Sequence, residues 1–209
     1  MSGLVLVWDM DNTLVGNYYD VTDTSSYNIL YFNKNAVAVL EEALIAKTQK
    51  KVDAIFMLTN NSDKDFIEYV HDRLKKKLKV PLVFDYIMDR THEARPFSDN
   101  PPKRLEDVAY MMWATGRSNY NLSNRVFFFD DIPDHHILNE IPHSHYIHIF
   151  PRFEPSVQDQ TDFKPVLDAI SSRGGARRRH LKQTRKTRQK KYRNNKNSKK
   201  NLTNILRDM

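Results

Sequence analysis

Near its start the chain reads Leu4-Val5-Leu6-Val7-Trp8-Asp9-Met10-Asp11-Asn12-Thr13, five unbroken apolar residues followed at once by acids and a hydroxyl. The apolar run falls far short of the ~20 residues that a membrane span requires. It also lacks the alternation of a strand with one wet face, so it reads as a strand covered on both sides, inside a parallel sheet. In an extended strand, residues two apart point the same way, which lets Asp9 and Asp11 face a site just beyond the strand's end. Two such carboxylates repel each other, and a divalent cation relieves the repulsion. Mg2+ suits the position, because it takes oxygen ligands and favours one or two carboxylates together with phosphate.

Further apolar runs follow at Ala54–Leu58, Leu82–Met88, Val126–Phe129 and Tyr146–Phe150. Amphipathic stretches separate them. Asn35–Lys47 puts Val37, Leu40, Ala43 and Leu44 on one face. Ser62, with Asp65 three residues on, has the pattern of a capping box ahead of the stripe Phe66, Ile67, Val70, Leu74 and Leu78. Pro101-Pro102 precedes a third helix that Gly116 stops, and Phe163–Ser172 reads as a last one. Alternating strands and helices predict an α/β fold with a doubly wound parallel sheet, whose ligands sit beyond the carboxyl ends of the strands. Asn17–Asn33 shows no helical period and reads as a loop or small hairpin.

The 209 residues carry a net charge of +7, spread unevenly. Residues 1–172 hold 18 Lys and Arg against 25 Asp and Glu, whereas residues 173–209 hold 15 against the single Asp208. The chain thus divides into an acidic body at 1–172, long enough for one buried core, and a basic tail at 173–209 with too few apolar residues to fold alone. The tail's charge suits the phosphate backbone of nucleic acid, an import receptor, an anionic membrane or an acidic protein, and composition does not separate these. With no cysteine, disulfide frameworks, thiolate zinc sites and a Cys nucleophile are excluded. Without a membrane-spanning or signal-like segment, an intracellular protein of cytoplasm or nucleus is expected.

Three more pieces fall on the expected functional edge: Thr59-Asn60-Asn61 after the second strand, Lys103 after Pro102, and Asp130-Asp131-Ile132-Pro133-Asp134 after the fourth. Together with Asp9, Asp11 and Thr13 the set resembles the four ordered signatures of the haloacid dehalogenase (HAD) superfamily, in its Asp-x-Asp-x-Thr phosphatase form. The intervals are 46 residues from Thr13 to Thr59, 44 to Lys103 and 27 to Asp130. The resemblance covers about residues 1–172 and implies a Rossmann-like core and Mg2+-dependent hydrolysis of phosphomonoesters through an aspartyl-phosphate. It makes Asp9 the nucleophile and Asp11 the acid and base; Thr59, Asn60 and Lys103 would hold phosphate. Asp9, Asp11 through its carbonyl, and Asp130 would bind the metal, with Thr13, Asp131 and Asp134 in support.

The order Pro102-Lys103 inverts the family's Lys-Pro, so Arg104 is an alternative cation, and Asp131 and Asp134 compete for the second acidic position. The intervals leave little chain for a large cap domain, which implies an open site and a macromolecular substrate, a phosphoprotein or a nucleic-acid end. The competing reading is a catalytically weak HAD-like protein that binds nucleic acid through its tail. The tail's Lys/Arg/Asn-rich composition is similar to tails on proteins of large DNA viruses, which would place the chain in a host cell. His143 and His145 read as one face of a strand and His148 as the other, a spacing that argues against a zinc site.

Overall fold

The computed structural model describes residues 2–16, 31–98, 100–133, 136–153 and 158–173. Asp134, residues 17–30 of the Asn17–Asn33 stretch and the basic tail from 174 onward lie outside the described residues. The elements run β1 (Leu4–Trp8), β2 (Val15–Gly16), β3 (Tyr31–Phe32), α1 (Lys34–Thr48), β4 (Val52–Leu58), α2 (Lys64–Leu78), β5 (Tyr86–Met88), α3 (Leu105–Ala114), β6 (Val126–Asp130), β7 (Tyr146–His148) and α4 (Lys164–Ser172). All belong to the unit spanning residues 1–170 except the end of α4.

Five strands form one sheet in the order β5-β4-β1-β6-β7, and every neighbouring pair is parallel. The order explains the apolar run at the start: β1 is the central strand, and each of its residues is buried. Leu4, Leu6 and Trp8 pack on one face with α1, α2 and α4, and Val5 and Val7 on the other with α3. Helices on both faces make the α/β architecture Rossmann-like. The chain winds outward from β1 through β4 to β5, then returns past β1 to β6, and this reversal sets the switch point at the carboxyl ends of β1, β4 and β6. Trp8 lies flat against Phe129 of β6, with ring centroids 3.7 Å apart and planes at 3°. β2 and β3 pair antiparallel, Val15 with Phe32 and Gly16 with Tyr31, on either side of residues 17–30.

Several expectations need correction. The edge strand β5 begins at Tyr86 rather than Leu82, because Asp85 intervenes. Its N–H donates to the Ile55 carbonyl at 2.7 Å, while its Oδ2 accepts the Ile55 N–H at 2.9 Å, so a side chain replaces one rung of the ladder. Helix α2 is capped by Asp63, not Ser62: the Asp63 side chain accepts from Phe66 N at 3.0 Å. Asn61 Oδ1 takes the Asp63 N–H at 2.8 Å and moves the start of the helix one residue along. Ser62 Oγ instead accepts from Arg90 at 2.8 Å. His143–His145 is a 3-10 turn rather than part of a strand, and β7 ends at His148, two residues short of Phe150. Among the described residues no helix is long and apolar enough to cross a membrane.

Asp85 also receives Lys47 Nζ at 2.6 Å from the end of α1 and Arg117 at 2.8 Å from beyond α3, so one carboxylate ties together both layers and β4. Replacing it leaves the Ile55 N–H unpaired and two cations adrift, at a cost of about 2–3 kcal/mol given their partial exposure. The expected outcome for Asp85→Ala is a lower urea midpoint with an unchanged slope, read by circular dichroism.

Candidate active site

Parallel register brings the acids together before any side chain is considered. Trp8 pairs with Phe129 across β1 and β6, so the next residues, Asp9 and Asp130, leave adjacent strands side by side, and Asp9 N–H donates to Phe129 O at 2.9 Å. On the other side Trp8 pairs with Met57, which puts Thr59 at the same edge. Beyond Trp8 the chain does not stay extended. Met10 O accepts from Leu14 N and Val15 N, and Asn12 takes the left-handed conformation at φ 56°. A tight turn, not strand alternation, therefore sets where Asp11 goes.

Lys103 is the counter-charge. Its Nζ lies 2.6 Å from Asp9 Oδ1 and 2.6 Å from Asp130 Oδ2, with only 2% of the side chain exposed. Arg104, the alternative cation, is the N-cap residue of α3 and takes no part in this bridge. Thr13 Oγ1 donates to Asp9 Oδ2 at 3.3 Å, and Ile132 N–H donates to Asp130 Oδ1 at 2.9 Å, so each carboxylate is held at both oxygens. Asp131 completes a buried group, since Asp9, Asp130 and Asp131 each bring a carboxylate oxygen within 4.8 Å of the others. Asp11 stands apart from this trio: its carboxylate accepts from Asn61 Nδ2 at 3.2 Å. Thr59 is fully buried, and its hydroxyl oxygen accepts Asn61 N–H at 3.0 Å while its own proton remains to donate. Asn60 faces other partners, accepting from Arg95 at 2.8 Å and donating to Asn100. Asp134 lies outside the described residues.

The charges are out of balance, and the pKa values follow. Burial is the largest influence on Asp9 and pushes it up to about 8; Lys103 opposes the rise, while Asp130 and Asp11 add to it. Burial also works against the charge on Lys103, but Asp9 and Asp130 outweigh it and hold the ammonium above the ordinary lysine value. Asp131 is raised by burial and then by Asp130. Three buried carboxylates share Lys103 and the largely exposed Arg152 as their cations, a crowding of acids in a water-poor place that a divalent cation could relieve.

Two residues that belong to no sequence motif support the group. Arg95, in the loop after β5, is 6% exposed and donates to the carbonyls of Thr59 at 2.9 Å and Pro101 at 3.1 Å as well as to Asn60. It fixes the strand end that carries Thr59 to the segment that carries Lys103. Arg152 Nε lies 2.7 Å from Asp131 Oδ2. His148 Nε2 sits 3.2 Å from the Asp131 carbonyl, so it belongs to the surroundings of the group and not to the cluster of oxygens.

No family model and no curated protein matches the chain. Among solved structures, an uncharacterized protein from Listeria monocytogenes serotype 4b is similar over 60% of this chain and 65% of its own, less than two thirds of its length, at 19% identity and a TM-score of 0.36.

Two outcomes follow from the geometry. Arg95→Met leaves the carbonyls of Thr59, Asp89 and Pro101 and the Asn60 amide oxygen without this donor, and a loss of about 2–4 kcal/mol in urea unfolding is expected. Asp9, with a folded pKa of about 8 against 3.8 for an ordinary Asp, makes the folded chain bind one proton more than the unfolded chain between those values. Its contribution to stability is therefore lost as pH rises through that window. In chelator, the urea midpoint of Asp9→Asn is expected to decline less between pH 5 and pH 8 than that of the unaltered protein.

Proposed function

We propose that the chain is a Mg2+-dependent phosphomonoesterase of the HAD type, acting through an aspartyl-phosphate. The observation that carries this reading is the buried Lys103 bridge between Asp9 and Asp130, with Asp131 beside it and Asp11 at the rim. The donor set fits the metal: three carboxylate oxygens lie within 4.8 Å of one another, all from buried residues, and Asp131 Oδ2, though 2.7 Å from Arg152 Nε, makes no aligned hydrogen bond. Asp9, Asp130 and Asp131 would hold Mg2+, together with the Asp11 carbonyl. When bound, the metal supplies the positive charge that keeps Asp9 ionised and neutralises phosphoryl oxygens.

The chain's own residues do the rest. Asp9 Oδ attacks phosphorus and the ester oxygen departs; Lys103 and Thr13 fix the carboxylate so that its attacking oxygen is oriented beforehand. Asp11 gives its proton to the leaving oxygen, then takes one from the water that cleaves the aspartyl-phosphate and releases phosphate. Asn61, which donates to Asp11, holds that side chain at the rim. Thr59 donates its hydroxyl proton to a phosphoryl oxygen, and the Lys103 ammonium offsets the charge that develops there.

For the substrate, we favour a phosphorylated macromolecule. The 15 cations of residues 173–209 would draw a polyanion toward an acidic body through release of its counterions. A protein that merely binds nucleic acid by this tail would show salt-sensitive affinity and no turnover. The expected outcome is that Asp9→Asn loses at least ~1,000-fold in kcat on p-nitrophenyl phosphate in Mg2+. Turnover of the unaltered protein on 3′- and 5′-phosphorylated oligonucleotides and a phosphoserine peptide identifies the substrate class. Undiminished phosphate release by Asp9→Asn would refute the assigned nucleophile.

A further inference from the structure

Arg152 has no place in the sequence pattern and none in the chemistry above, yet it stands at the mouth of the site. The segment that bears it is fastened to the turn that bears Asp9 and Asp11: Phe153 N–H donates to Asn12 O at 2.9 Å. The fit is close enough that a Cβ added to Gly16 would lie 3.2 Å from the Phe153 carbonyl oxygen. Arg152 is thereby held beside Asp131 with its side chain 61% exposed, while the Asp131 side chain is 3% exposed. The guanidinium thus reaches from solvent to one buried oxygen. Among the described residues, Asp131 is the one acid paired with it. The contact at 2.7 Å lacks the alignment of a hydrogen bond, so charge rather than directional bonding holds it.

We infer that Arg152 is a phosphate-recognition residue with two successive partners: Asp131 while the carboxylate group is free of metal, and the phosphoryl oxygens of the substrate once metal holds Asp131. The inference rests on the phosphatase reading. Its basis is charge. Among the described residues, Lys103 and Arg152 are the cations at salt-bridge distance from Asp9, Asp130 and Asp131, so a divalent cation at these carboxylates would take over the charge of Asp131 and repel the guanidinium across it. Lys103 cannot respond, being buried between two acids. Arg152 can, because most of its side chain is in water and only one buried atom restrains it. Once displaced it remains tethered through Phe153 and Asn12 above the Asp9 turn, where a planar fork of donors matches two oxygens of a phosphate dianion. Arg152 and the metal therefore oppose each other at Asp131, whereas Arg152 and the phosphate attract.

The two partnerships predict opposite signs for one substitution, which a merely structural arginine does not produce. Calorimetric titration with Mg2+ alone is expected to show about 3- to 10-fold tighter binding for Arg152→Gln than for the unaltered protein, since a competing cation has been removed. Inorganic phosphate, titrated at saturating Mg2+, is expected to bind about 10-fold or more weakly, with a matching rise in KM for p-nitrophenyl phosphate and kcat within about 3-fold. Arg152→Lys keeps the charge without the fork and is expected to restore the Mg2+ affinity of the unaltered protein but only part of the phosphate affinity. Unchanged affinities in Arg152→Gln, changes of both in the same direction, or no uptake of Mg2+ by either protein overturn the inference. Failure of the phosphatase reading is distinct: turnover would persist in Asp9→Asn, or be absent from the unaltered protein, whatever Arg152→Gln does to the two titrations.

Discussion

A lysine ammonium buried between two aspartates is the arrangement on which the rest of this molecule turns. Asp9 and Asp130 end neighbouring strands of a parallel sheet, and nothing in the backbone keeps their carboxylates apart. Without Lys103 at 2.6 Å from each, the two would repel one another at the centre of the switch point. A third buried carboxylate, Asp131, lies close by and is paired with the largely exposed Arg152 rather than with Lys103. Three buried carboxylates gathered in this way are expensive in a purely structural role, where a buried ion pair is at best near neutral to stability. On the proposed phosphatase reading, a bound cation would offset that cost.

The surrounding elements act as a mount for that bridge. β1 brings Asp9 to the sheet's edge and stacks Trp8 on Phe129, which locks the register that sets Asp9 beside Asp130. Arg95 joins the end of β4 to the segment before α3, so Thr59 and Lys103 arrive on parts of the chain that cannot drift independently. The turn at Met10–Val15 holds Asp11 near Asn61 and is itself overlain by Phe153. Residues from six separate parts of the chain are thus fixed by main-chain contacts as much as by their own charges.

How much of this could be read from the sequence depended on whether a signal was local. β1, β4 and β6 were legible because strands buried on both faces are uniformly apolar. β5 is shorter than its apolar run because Asp85, four residues beyond Pro81, replaces a ladder bond with its side chain. The cap of α2 lies one residue beyond Ser62 because Asn61 takes the Asp63 N–H and Asp63 in turn takes the Phe66 N–H, a choice among neighbouring capping residues that no sequence pattern makes. Asp9, Lys103 and Asp130 could be put together because each follows or precedes an element whose type is plain. Arg95 and Arg152 could not: each is a solitary cation in a loop, and their partners at Thr59 and Asp131 lie 36 and 21 positions away without any periodic relation. Asn60 had the look of a phosphate ligand from its place beside Thr59, yet Arg95 and Asn100 engage its amide.

The order of strands has a consequence for how the molecule comes into being. β1 is the centre of the sheet but the first strand to leave the ribosome, while β4 and β6, which cover its two edges, start 48 and 122 residues later. Until then a nascent chain displays a five-residue apolar strand with both edges open, the form most ready to pair with a neighbour's strand. Asp9 and Asp11 follow it immediately, and charge next to such a run discourages that pairing. The acids at the end of β1 thus serve, earlier in the protein's life, as its guard against aggregation.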